Sequence, residues 1–349
     1  MNVEARIKSF YLLGNSLKRF LKHEKASSTS EENFFNLLNE KVDNAIHYNG
    51  WFTKKNILFS LQQWSEALEK EKLEDWLSHY EIPKDKNFTV AIIMAGNIPL
   101  VGFHDFLCVL LSGNKVLIKQ SSNDDQILPV ITQFLEELEP AFKERISFTK
   151  DRLENFDAVI ATGSNNTARY FEYYFSKKPH IIRKNRNSVA ILTGNESKEE
   201  LAPLGEDIFR YYGLGCRNVS KMYVPKEQKL DYFFEAVYDW HPIIDSNKYA
   251  NNYDYNKAVY LMSEFKILDN GFLILKKDES FSSPIASLFY EEYDDLEALK
   301  LKLEKEQENI QCIVSNGLDP QHIPFGKTQQ PSLTDYADQV DTMKFLIDL

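Results

Sequence analysis

The sequence predicts an α/β protein with a helical N-terminal region. Three observations carry that prediction. Apolar residues recur at helical spacing up to about residue 82, short continuous β-rich runs begin near Phe88, and helix-compatible segments separate those runs. Short apolar strands alternating with helices give a parallel sheet covered on both faces.

The elements follow in chain order. Ile7, Phe10, Tyr11, Leu13 and Leu17 share one helical face, as do Leu61, Trp64 and Leu68. The charged, Ser-rich segment Lys22 to Glu32 is expected to be a loop. Thr89 to Ala95 is the first β-rich run and ends in Gly96-Asn97-Ile98-Pro99. Lys115 to Lys119 and Asp157 to Thr162 come next, and Ser188 to Leu192 extends the same pattern. Asn165 to Phe175 reads as a helix. Beyond about residue 193, helical and strand-like segments mix: Glu199 to Tyr212, Ser220 to Val224, Phe272 to Leu275 and Ile285 to Phe289. Asp294 to Gln307 reads as a charged amphipathic helix.

At 349 residues the chain is long enough for two domains, and 43% hydrophobic with 27% charged residues is ordinary for a globular protein. A net charge of −11 argues against non-specific nucleic-acid binding. No apolar run is long enough to span a membrane, and none follows Met1 as a signal peptide would require. Three cysteines give no disulfide framework, so a cytoplasmic protein is expected. On that reading the N-x-S/T triplets at Asn87, Asn165, Asn195 and Asn218 are chance matches. The histidines are scattered and neither HExxH nor CxxC occurs, so no metal site is expected.

Cysteine supplies the first chemical lead. Cys108 and Cys312 lie in apolar runs and read as core residues. Cys216 follows Gly213-Leu214-Gly215 and precedes Arg217. Glycines allow a tight bend and close ligand approach, and a nearby cation favours thiolate, so Cys216 is a candidate acyl-accepting nucleophile; a structural cysteine is the alternative. Asn97, where a strand meets a turn, is either a turn former or an amide donor to an oxyanion. Lys119 ends a strand where ligands bind in open α/β sheets, or is a surface lysine. Gly163-Ser164 joins a strand to a helix whose N-terminus can bind phosphate, although the G-x-G-x-x-G fingerprint is absent. His104 is a candidate proton-transfer aid or a structural histidine.

Taken in order, these pieces resemble the aldehyde dehydrogenase superfamily, and within it the LuxC-type fatty acyl-CoA reductases linked to bacterial luciferase. Gly96-Asn97-Ile98-Pro99-Leu100 is similar to P-W-N-F-P-L. Leu111 to Ser122 is similar to A-L-A-A-G-N-x-V-V-x-K-P-S-E. Thr162 to Arg169 is similar to T-G-S-T-x-x-G-R. Gly213 to Val224 is similar to G-Q-x-C followed by S-R-x-x-V, and Ile323 to Lys327 to the late P-F-G-G. The resemblance covers about residues 88 to 349.

The resemblance implies an aldehyde dehydrogenase-like fold: a helical N-terminal region over 1–82, a Rossmann-like NADP-binding domain over 83–192, an α/β catalytic domain over 193–315 and a return segment over 316–349, with the site in the cleft between the domains. It implies that Cys216 accepts the acyl group and that Asn97, with the Cys216 N–H, forms the oxyanion hole. Lys119 would hold the adenosine ribose, and Gly163 and Ser164 the pyrophosphate. Ser122 stands where a Glu ordinarily binds the ribose hydroxyls, and its neutral side chain admits a 2′-phosphate, favouring NADPH. Ala168 replaces a glycine after the phosphate turn. Arg183 stands where the superfamily's water-activating Glu would be, so hydrolysis of a thioacyl enzyme is expected to be slow. Arg183 and Arg186 are either phosphate contacts or surface residues. Glu279, in a segment one residue longer than E-x-F-G-P, is a candidate for the nicotinamide ribose.

The implied activity is NADPH-dependent reduction of a fatty acyl-CoA, or of an acyl-protein thioester, to an aldehyde with CoA as leaving group. Aldehyde oxidation and cysteine-dependent acyl transfer or thioester hydrolysis without a redox step are the alternatives. A homo-oligomer is expected, with no nucleic-acid partner.

Overall fold

Four helices open the chain, most of them where the sequence supplies a cap. Asn2 accepts from the Ala5 N–H at the start of α1 (Val3–Leu21), Ser28 from the Glu31 N–H at α2 (Thr29–Tyr48), and Thr53 from the Asn56 N–H at α3 (Lys54–Ala67). α4 (Lys70–Ser78) follows. The loop expected over Lys22 to Glu32 is shorter, because Ser28 caps α2 and Glu31 turns inward to accept from Arg19 Nε at 3.0 Å. The computed structural model describes residues 1–83 and 86–349.

The sheet that follows is built from β1 (Thr89–Ile93), β2 (Lys115–Lys119), β3 (Ile146–Phe148), β4 (Ala158–Thr162) and β5 (His180–Arg183), all parallel in the order β3-β2-β1-β4-β5. Val90 pairs with Val116 on one side and Ala158 on the other, and all three are buried. The crossovers are α5 (Phe103–Leu111), α6 (Ile127–Leu138) and α7 (Asn165–Phe175). The helical start shares this core: the Phe10 ring of α1 lies 6.2 Å from Phe106 and 5.9 Å from Phe142. Arg6, also on α1, is fully buried and donates through Nη1 to the Leu111 carbonyl at 2.6 Å. Gly113 (φ +90) lies beneath that guanidinium, where a Cβ would sit 2.6 Å from Nη1.

A second sheet comprises β6 (Asn187–Ile191), β7 (Val219–Pro225), β8 (Ile267–Asp269), β9 (Ile274–Lys277), β10 (Ser287–Tyr293) and β11 (Ile310–Val314). Its order is β11-β6-β7-β10-β9-β8, parallel except for β8, which runs antiparallel to β9. Its helices are α8 (Lys198–Leu201), α9 (Leu204–Phe209), α10 (Asp231–Ala236), α11 (Asn247–Met262) and α12 (Leu296–Lys305).

Two compact units result: residues 1–184 with 332–349, and residues 185–331. The run Ser188 to Leu192, expected to extend the first sheet, belongs to the second as β6, paired with β7 and β11. A continuous apolar run specifies a strand but not its neighbours. The last helix, α13 (Thr342–Asp348), belongs to the first unit: Met343 and Leu346 are fully buried, and Asn114 Nδ2 donates to the Leu346 carbonyl at 3.2 Å. Among the described residues, no helix is long and apolar enough to cross a membrane.

Candidate functional site

In the first unit, the loops after β1 and β4 flank the place where the strand order reverses, the usual ligand crevice of an open parallel sheet. The loop after β1 is tightly held. Gly96 packs against Ser121, where a Cβ would fall 2.6 Å from the hydroxyl. The Pro99 carbonyl accepts from Ser60 Oγ at 3.0 Å, and the Leu100 N–H donates to Asp124 Oδ2 at 2.9 Å. Leu100 has a left-handed backbone (φ 59), which a non-glycine residue adopts only when its surroundings insist. Half-buried Asn97 lies within this pinned segment. Burial pushes the Asp124 carboxyl up to about 7, the Leu100 N–H works against that rise, and Asp125 adds to it.

Lys119 ends β2, and its ammonium donates to the Asp151 carbonyl at 2.8 Å. It lines a cavity of about 690 Å³ with Gln120, Ser122, Asp125, Phe148 and Lys150, at the C-terminal ends of β2 and β3. Ser164 caps α7: its Oγ accepts from the Thr167 N–H at 3.2 Å. Gly163 precedes it, and a Cβ there would press on the Thr167 side chain at 3.1 Å. Ala168 is fully buried.

Two candidates in this unit are otherwise engaged. Arg183 is buried and pairs bidentately with Asp105, through Nη1 and, at 2.8 Å, through Nη2, which also reaches Thr342 Oγ1 at 3.0 Å. It is therefore no phosphate contact, because both of its terminal nitrogens are engaged by Asp105 and Thr342 inside the core. His104 packs among the rings of Trp64, Trp76 and Tyr336 and donates through Nε2 to the Leu333 carbonyl at 3.0 Å. Burial lowers its pKa, and the ring is a packing element rather than a proton carrier.

In the second unit, Cys216 is exposed while Cys108 in the first and Cys312 in the second are buried, as their apolar runs require. Cys216 sits in a turn closed by the Asn218 N–H to the Gly215 carbonyl at 3.0 Å, immediately before β7. Ser188 Oγ donates to the Cys216 carbonyl at 2.9 Å, and Arg217 Nε to the Thr328 carbonyl at 2.6 Å. The segment holding Thr328 is in turn fixed by the buried Asp207 carboxylate, which accepts from the Gly326 N–H at 2.6 Å, the Thr328 N–H at 2.9 Å and the Thr328 hydroxyl at 2.8 Å. Burial raises the Asp207 carboxyl to about 6, against those three donors. Arg186 is half-buried and reaches the Gln307 and Ile310 carbonyls at 3.3 and 3.5 Å. Glu279 is exposed, and its carbonyl accepts from buried Lys221 at 2.6 Å.

Residues 27–236, more than half of the chain, match the family of acyl-CoA reductases (LuxC). The chain belongs to the acyl-CoA reductase (LuxC) family. It is an oxidoreductase of aldehyde chemistry, with the aldehyde dehydrogenase fold. No curated protein matches it. Among solved structures it is similar to aldehyde dehydrogenase 21 from Physcomitrella patens in complex with the product succinate, at 13% identity and a TM-score of 0.66 over 99% of this chain and 87% of that one. It is also similar to an NAD-dependent benzaldehyde dehydrogenase from Corynebacterium glutamicum (14%, TM-score 0.63, 90% and 77% covered). An aldehyde dehydrogenase from Bacillus cereus in its NAD+ complex is a third (13%, TM-score 0.61, 92% and 73% covered). Identities this low speak for the fold alone.

Three residues that hold the loops of this acyl-CoA reductase family member carry little signal in the sequence. Asp124 and Asp207 lie outside the motifs given above, and Asn218 lies inside the Gly213 to Val224 segment at a position to which the motif gives no role. The usable signal for Asn218 is its position two residues after the cysteine of the Gly-Leu-Gly-Cys segment.

Proposed function

We propose that the protein reduces long-chain fatty acyl-CoA, or an acyl-protein thioester, to an aldehyde through a thioacyl-Cys216 intermediate, with NADPH as reductant. The observation that carries the reading is Cys216 itself, exposed on a turn held by side-chain bonds on both sides. Arg183 supports it: at the sequence position where the resemblance puts a water-activating Glu, this chain has an arginine, paired with Asp105 inside the first unit, so the carboxylate that hydrolysis needs is missing from that motif.

The cavity beside Lys119 suits a nicotinamide dinucleotide. Among the described residues, two lysines, Lys119 and Lys150, outweigh one carboxylate, Asp125, in its wall, and Ser122 adds a neutral hydroxyl that leaves room for a 2′-phosphate. Lys119, Ser122, Gly163, Ser164 and Glu279 are the residues proposed to hold the cofactor, which when bound supplies a hydride. The Cys216 thiolate attacks the acyl carbon, forming the carbon–sulfur bond, and the bond to the CoA sulfur breaks as CoA leaves as a thiolate that takes up a proton. Asn97 and the Cys216 N–H are proposed to donate to the oxyanion of each tetrahedral species. After reduction at the acyl carbon, collapse of the thiohemiacetal breaks the Cys216 bond and returns the sulfur. The balance is one acyl thioester, one reduced nicotinamide and one proton giving aldehyde, oxidised nicotinamide and free CoA.

The test is NADPH oxidation with a panel of acyl-CoA chain lengths, with NADH in parallel, on wild type and Cys216→Ala, the aldehyde being trapped and identified. Aldehyde from wild type and none from the variant is expected, with NADPH the better reductant. CoA release without NADPH consumption would replace the reading with simple acyl transfer.

A further inference from the structure

We propose that Asn218 is a positioning residue for Cys216, acting by holding a left-handed run of backbone just ahead of it. The proposal rests on the reading of Cys216 as nucleophile. Three consecutive residues before the turn have positive φ: Tyr211 (φ 54, ψ 26), Tyr212 (φ 60, ψ 24) and Gly213 (φ +75). Glycine adopts that conformation freely, but two adjacent tyrosines do not. Backbone of this kind persists only where neighbouring groups over-determine it, and such segments gather at functional sites.

Asn218 supplies much of that determination. It is 2% exposed, and its side chain bonds backbone on both sides of the run. Nδ2 donates to the Asp207 and Arg210 carbonyls, each at 2.9 Å. Helix α9 ends at Phe209, so carbonyls of its last turn require donors from outside the helix. Oδ1 accepts from the Gly215 N–H at 2.8 Å. One amide thus ties residues 207 and 210 to residue 215, with the strained run between them and Cys216 next in sequence. Tyr212 rests on the Tyr249 ring, 6.1 Å away, and Ser188 holds the Cys216 carbonyl, so the sulfur leaves a segment fixed from several directions.

Asparagine is the side chain this geometry requires. Aspartate keeps the shape and the acceptor for Gly215 but has no N–H for the two carbonyls. Reacting groups lose rate steeply with small misplacement, so the loss should appear in kcat rather than in acyl-CoA binding.

The experiment is a double-mutant cycle on the full-length chain with Asn218→Asp and Tyr212→Gly, reading kcat, KM for acyl-CoA, melting temperature and the iodoacetamide alkylation rate of Cys216 followed on its own peptide. Asn218→Asp is expected to lower kcat about 10- to 100-fold with KM near wild type. In the Tyr212→Gly background, where glycine takes the left-handed conformation without strain, the same substitution should cost several-fold less. Wild-type kcat in Asn218→Asp, or an equal loss in both backgrounds, overturns the proposal. If Asn218→Asp does not fold alone, recovery of folding in the Tyr212→Gly background supports the clamp and failure in both overturns it. Cys216→Ala is run alongside. Should it turn over normally, the nucleophile reading falls, and the clamp is then decided by alkylation: a rate altered about tenfold or more by Asn218→Asp supports it, and an unchanged rate overturns it.

Discussion

The two loops proposed to carry the chemistry are held by the same device with different electrostatics. In the first unit a left-handed Leu100 is pinned by a carboxyl group, Asp124, beside the segment containing Asn97. In the second a left-handed run is pinned by a neutral amide, Asn218, and the Cys216 carbonyl by a hydroxyl, Ser188. The first unit also fastens the end of β5 with a buried ion pair, Arg183–Asp105. Charge is present near the cysteine turn too, in Asp207, but one step removed and answered by three donors where Asp124 has the Leu100 N–H. The carboxyls follow suit, about 7 for Asp124 and about 6 for Asp207. Neutral holds fix geometry without regard to pH; a carboxyl hold near neutrality makes geometry depend on it.

The largest expected effect tests the ionic side of this comparison. Asp105→Ala leaves Arg183 buried without its counter-charge, which costs about 3–5 kcal/mol of stability. Urea unfolding should register the loss, and hydrogen exchange should rise in α5 and β5 of the first unit. A loss within the ordinary surface range would mean that the pair contributes little. Next comes Asn97→Ala, expected to lower kcat about 100- to 1000-fold, as loss of an oxyanion donor does, with the melting temperature unchanged. A fall in melting temperature with kcat preserved would reassign Asn97 as a turn former and leave the comparison with one chemical loop instead of two.

Contiguous patterns were legible in the sequence; partnerships across long separations were not. Lys115–Lys119 and Asn165–Phe175 form as their apolar runs and caps dictate. β3 and β8, three residues each at sheet edges, carry too little pattern to be seen. β6 was visible as a strand, but its place in the second sheet depends on pairing with β7 and β11. Cys216 stood out because two glycines precede it and an arginine follows. The burial of Arg183 did not, since Asp105 lies 78 residues away. His104 likewise finds its acceptor 229 residues on, at Leu333. The clamp by Asn218 escaped because a single asparagine has no periodicity, and its meaning resides in three backbone partners.

The smallest effect is the most discriminating, because it separates the two kinds of hold by pH. The folded Asp124 carboxyl, at about 7, lies above its usual 3.8. The native state therefore keeps this proton longer than the unfolded chain does. Its contribution to stability is fully present below the unfolded value and is lost as pH rises through the folded one. The Leu100 hydrogen bond runs the other way, since an N–H binds a carboxylate more strongly than a carboxylic acid. Raising the pH through neutrality should thus tighten the Asn97 loop while lowering overall stability. Asp124→Asn keeps an acceptor for Leu100 and removes the titration. Wild type is expected to show a rising limb of kcat near pH 7 that Asp124→Asn lacks, changing kcat several-fold, while any limb due to Cys216 remains in both. Melting temperature should decline by a few degrees more in wild type than in the variant between about pH 5 and pH 8. Superimposable pH profiles for the two proteins would show that the loop is held as firmly by the acid as by the carboxylate, and the distinction between the two holds would then lie in geometry alone.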